Sequence, residues 1–74
     1  TVVFTALSTT SVTIEFTLGT RAVVWNETTE SKLGVVTTSG NSLAYSAQTV
    51  GDIISAYTED ANFNHSAKYA EAIA

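Results

Sequence analysis

Residues 11–18 place polar and apolar side chains in strict alternation, with Val12, Ile14, Phe16 and Leu18 on one side and Ser11, Thr13, Glu15 and Thr17 on the other. Side chains of period two point to opposite faces of an extended chain, so this stretch is an antiparallel strand, wet on one face and packed on the other. One such strand dictates a sheet with an apolar layer against it. The remaining residues must supply both.

Gly19 and Thr20 come next, followed by the largely apolar residues 21–25 (Arg21, Ala22, Val23, Val24, Trp25). Glycine at the first of two loop positions predicts a II′ hairpin here. A second hairpin is expected from residues 33–38, turning at Ser39, Gly40 and Asn41 into residues 42–48, where Leu43, Tyr45 and Ala47 alternate with Ala44, Ser46 and Gln48. Residues 2–7 are apolar on both faces, as in a central strand or one that pairs with another subunit. Residues 26–34 read as a polar loop or, preferably, a short helix capped by Asn26 and stopped by Gly34.

From residue 49 the period changes. Thr49 and Asp52 have the spacing of a capping box, and Val50, Ile53, Ile54, Tyr57 and Ala61 recur at helical intervals. The pattern predicts an amphipathic helix over 49–61, fraying at 62–64. A second helix or a continuation follows over 66–74, with Tyr69, Ala70 and Ile73 on one stripe. The expected fold is therefore α+β in a single domain, residues 1–48 forming a β-hairpin region and 49–74 a helical region. In it, one or two C-terminal helices pack a small antiparallel sheet of four to five strands. The 49–61 helix covers the Val12, Ile14, Phe16 and Leu18 face, and Phe4, Phe16, Phe63 and Trp25 lie between sheet and helix.

Length limits how well such a fold closes. A chain of 74 residues buries only roughly 60% of its unfolded surface, and with no cysteine it has neither disulfides nor a thiolate metal site to compensate. Oligomerisation is the remaining device. A sheet covered on one side by a single helix also leaves apolar surface over on residues 2–7 and 22–25, which a neighbouring subunit would bury.

Charge narrows the partners. Seven acidic residues against three scattered basic ones, a net charge of −4, provide no phosphate-tracking surface, which argues against nucleic acid and anionic membranes. The apolar runs are far shorter than the roughly 20 residues of a bilayer span. Eight Ser and thirteen Thr carry solubility in place of charge, a composition that suits an extracellular or virion setting. The opening Thr1-Val2-Val3 reads as a processed or trimmed chain.

Catalytic motifs are absent: there is no Gly-rich phosphate loop, no paired-Cys motif, no His-Glu-x-x-His and no Gly-x-Ser-x-Gly. His65, the sole imidazole, could serve as a base only for a serine that nothing selects. Asp52 and Glu59 would share a helical face about 10 Å apart, too far for one cation, and read as solvated. No catalytic, cofactor or metal residue is assigned. Asn26-Glu27-Thr28 and Asn64-His65-Ser66 match the N-glycosylation triplet and mark loops.

The function expected is a structural or interaction subunit of a larger assembly (virion, extracellular filament or secreted multichain complex), acting by strand pairing and hydrophobic burial and not as an enzyme. Its partner would be another copy or another protein. The alternative is a secreted binding module or toxin subunit recognising a glycan or protein through Trp25 and the nearby loop from Asn26 to Lys32. The interaction candidates are Val3, Phe4, Trp25 and Tyr57, the first two on the strand expected to pair and the aromatics because such rings carry interface energy.

Overall fold

The structure, a computed structural model, describes residues 1–17 and 19–74. Among the described residues seven strands follow one another: β1 (Val2–Leu7), β2 (Ser11–Phe16), β3 (Arg21–Asn26), β4 (Ser31–Val36), β5 (Ser42–Ala44), β6 (Ile53–Glu59) and β7 (Tyr69–Ala72). They form two antiparallel sheets, ordered β1-β2-β5 and β4-β3-β6-β7. The fold is all-β, not α+β, and the described residues contain no helix. Val2, Val12 and Ile14 from the first sheet meet Ala22, Val24, Val36, Ile54, Ala56 and Ile73 from the second in one buried cluster, so the cover for the alternating strand is a second sheet.

The helix expected over 49–61 fails for a definable reason. Ile53-Ile54-Ser55-Ala56-Tyr57 is a short apolar run that satisfies both periods. In place, Ile54, Ala56 and Thr58 are buried inward while Ile53, Ser55, Tyr57 and Glu59 face outward, strand alternation throughout. The capping-box spacing of Thr49 and Asp52 is also that of a β-turn. Asp52 N–H donates to Thr49 O (3.0 Å) and Gly51 holds φ at 96° between them, where a type II turn requires it. Residues 69–72 likewise pair with β6 instead of coiling, which carries Ile73 into the core.

Both expected hairpins pair differently. β2 and β3 lie in different sheets, so Gly19 (φ 88°) links layers; Leu18 lies outside the described residues. The turn at Gly40 (φ 90°) is real, but β4 joins β3 and β5 joins β2, because the turn itself docks on β2: Gly40 N–H donates to Ile14 O and Ile14 N–H to Asn41 O. Asn26 does cap backbone N–H groups, those of Thr28 and Thr29, within the β3–β4 turn and not a helix. Gly34, expected to stop that helix, leaves room for Leu43 of the opposite sheet, whose Cδ1 would stand 2.9 Å from an added Cβ.

A bulge resolves the two apolar faces of β1. Val2 and Phe4 pair with Phe16 and Ile14, then the register slips so that Leu7 opposes Val12, which turns Val2, Phe4 and Leu7 inward and leaves Thr5 extra. Among the aromatics, Phe4 packs edge-on against Tyr69 (4.9 Å) beside the core and Phe16 also lies against it. Trp25 and Phe63 do not: Trp25 is on the outer face of its sheet and Phe63 is exposed. The accessible surface is 4090 Å², close to the roughly 4,400 Å² expected of a self-contained monomer of this mass.

Candidate functional site

On the outer face of the four-stranded sheet, side-chain size alternates across the strands. β3 presents Arg21, Val23 and Trp25, and β6 sets Glu59, Tyr57 and Ser55 opposite them in that order. β7 places Ala70 on the far side of Ser55. The small Ser55, cross-strand from Trp25 and two residues from Tyr57, leaves a depression of about 420 Å³, lined by Trp25, Glu27, Glu30, Ser55, Tyr57 and Lys68.

The rim is held from below. Asn26 is fully buried, its Nδ2 donating to Gln48 Oε1 and Asp52 Oδ2 (both 2.9 Å) and its Oδ1 accepting from Thr28 and Thr29 N–H. Glu27 N–H donates to Ile53 O and Ile53 N–H to Thr28 Oγ1, tying the turn to β6. Glu27 and Glu30 are thereby fixed above the groove, and Lys68 closes the opposite wall through an ion pair with Glu27. Lys68 Nζ retains further donor capacity. At the floor, Ser55 is 1% exposed, and its Oγ is the one buried side-chain polar atom among the described residues with no hydrogen-bond partner.

Tyr57 also borders a second cluster, with its ring 4.4 Å from that of His65. Glu59 accepts from Arg21 Nε and His65 Nε2, and these partners, Arg21 first, hold its carboxyl below the usual range against a smaller opposing effect of desolvation. Asp60 is lowered as well, chiefly by Asn64, whose backbone N–H and side-chain amide both donate to it, with Asn62 N–H adding to them. The Arg21 guanidinium lies over Phe63, 5.1 Å from its centroid. These groups satisfy one another.

Of the sequence-derived candidates, Trp25 and Tyr57 come together on one groove. Val3 and Phe4 lie in the other sheet, Val3 outward and exposed, Phe4 inward against Tyr69. Asp52 and Glu59, instead of sharing a helix face, bracket a strand and stand roughly 23 Å apart along it. Asn26 is sealed by its hydrogen bonds, whereas Asn64 is exposed. Ser55 and Lys68 went unmarked by sequence reasoning, whereas Glu27 and Glu30 lie in the 26–32 loop that it named with Trp25; the one available signal for Ser55 was its small side chain flanked at ±2 by the larger Ile53 and Tyr57. The described residues contain no helix long and apolar enough to cross a membrane. Comparison with family models, with curated proteins and with solved structures finds no match for this chain, so the reading of the groove rests on its own geometry.

Proposed function

We propose that this chain is a small binding module that receives a ligand group in the groove between Trp25 and Tyr57. The observation that carries this reading is the unpartnered Ser55 hydroxyl beneath two aromatic rings on a face that the core does not use. Burying a hydroxyl without a partner costs about 1–3 kcal/mol, and a ligand that pairs it recovers part of that. Binding is favoured over catalysis because His65 is engaged by Glu59 and Tyr57, away from any paired serine. The hydroxyl-rich, lightly charged surface supports an extracellular or virion setting. Titrating the 15N-labelled chain with monosaccharides, quaternary ammonium salts and short peptides tests the reading. Shifts should gather at Trp25, Glu27, Glu30, Ser55, Tyr57 and Lys68; a panel that leaves these signals in place rejects it.

A second reading, an assembly subunit, is favoured by β1. This strand forms an open sheet edge with neither a charge nor a proline to guard it, and Val3 on it is 43% exposed. Such an edge can accept a strand from a neighbour. Light scattering across dilution would then give a mass above 7.8 kDa that falls to monomer in Val3→Asp, with the fold intact. A monomer at every concentration ends this reading.

A further inference from the structure

We propose that the ligand of the groove is a neutral saccharide, one pyranose ring stacking on Trp25 with a hydroxyl reaching Ser55; this rests on the groove being a binding site at all. The donor and acceptor set selects the class. Ser55 Oγ can both donate and accept and has no partner. Glu30 has no ion-pair partner among the described residues, Glu27 has one carboxylate oxygen outside its pair with Lys68, and Lys68 has N–H groups to spare. The site therefore offers acceptors, a donor and a group that is either, around an aromatic face. A sugar presents the matching arrangement, with hydroxyls that each donate and accept around a ring whose C–H face is apolar and lies flat on an indole.

Competing ligand chemistries each leave something unmet. A quaternary ammonium group would use the rings and carboxylates but brings no hydrogen-bonding atom for Ser55 and sits beside the Lys68 cation. An acidic sugar or phosphate meets two carboxylates with only one cation, itself already paired. An aliphatic side chain would strand the serine, both glutamates and the lysine together. The volume of about 420 Å³ lies at the small end of ligand pockets, roughly 300–1,000 Å³, which suits a single sugar unit or a pair rather than a long chain.

The test uses the sole tryptophan as its reporter. The folded chain is titrated with the methyl glycosides of glucose, galactose, mannose and N-acetylglucosamine, and separately with choline, following Trp25 emission and the 15N spectrum. At least one glycoside should saturate. Ser55→Ala should then weaken it about tenfold, the effect of one hydrogen bond, without lowering Tm, because the hydroxyl removed has no partner in the free protein. Trp25→Ala, followed by calorimetry, should abolish binding in a chain that still folds. Saturation that Ser55→Ala leaves unchanged overturns the proposed contact. Choline shifting the groove signals while every glycoside leaves them alone overturns the saccharide and keeps the binding module. Silence from both glycosides and choline in a groove that short peptides still perturb also removes the sugar alone, and silence from all three removes both.

Discussion

The two outer faces of this sandwich are built from similar residues and end in opposite states. On the three-stranded sheet, hydroxyls pair with one another: Thr13 Oγ1 lies 2.6 Å from Ser42 Oγ across β2 and β5, and Thr1 and Thr17 meet at 3.0 Å. On the four-stranded sheet Ser55 sits among Trp25, Tyr57 and Ala70 with nothing to bond. A paired, exposed hydroxyl serves solubility and edge tidiness. A buried, unpaired one is a cost the fold has not relieved internally, and so the four-stranded face, not the three-stranded one, is where recognition is expected.

The largest break in that contrast should come from Asn26→Ala. It removes four hydrogen bonds at a fully buried position and leaves Asp52, 9% exposed, without the amide that faces it. A loss of about 3 kcal/mol is expected from such a network, read as a lower denaturation midpoint. The turn carrying Glu27 and Glu30 should become the first site of proteolysis, while Tyr45, packed against the core and bonded to Ser8 O in the other layer, keeps its native signals in the surviving fold. Equal broadening of both outer faces would mean that the clamp supports the whole sandwich rather than the groove.

A smaller effect separates the far end of the same face. Glu59 titrates below the ordinary glutamate value, about 4.3, because Arg21 and then His65 favour its charged form. A depressed folded-state value means its contribution is present above the unfolded value and is lost as pH falls through the folded one. Stability should therefore decline on acidification below about pH 4, and Glu59→Gln should flatten that decline while lowering stability at neutral pH. An unchanged acid limb in Glu59→Gln would place the sensitivity on Asp60, whose carboxyl is lowered by Asn64 and Asn62.

What was legible in the chain follows the reach of each signal. β2 is readable because its alternation is complete within six residues and needs no partner to interpret. β6 is not, since five consecutive apolar or small residues suit either period and the decision lies with β3, some thirty residues earlier, which offers a full register of partners from Arg21↔Glu59 to Asn26↔Ile54. Turn residues were located correctly at Gly19 and Gly40, yet their strands were paired wrongly, because a turn residue sets a local φ and not the sheet that receives the next strand. The site shows the same division. Trp25 and Tyr57 stand out by type, whereas Ser55 is one hydroxyl among eight serines and thirteen threonines, and its isolation is a property of its neighbours.

The smallest expected effect is also the sharpest test of the contrast between faces, a comparison of Ser42→Ala with Ser55→Ala. Ser42 shares a hydrogen bond with Thr13 at an exposed edge, so its removal strands a partner that water can reach, and the cost should be under about 1 kcal/mol but positive. Ser55 shares none, so alanine there removes a desolvated hydroxyl and keeps the strand geometry, and the free protein should be unchanged or more stable by up to about 1 kcal/mol. The order is the informative part: a buried polar residue would be less costly to delete than an exposed one, the reverse of what burial alone dictates. Urea midpoints with equal slopes would measure it. If Ser55→Ala proves the more damaging of the two, Ser55 is bonded in solution, to water or to a shifted Tyr57, and the distinction between the faces disappears along with the argument for a ligand at that hydroxyl.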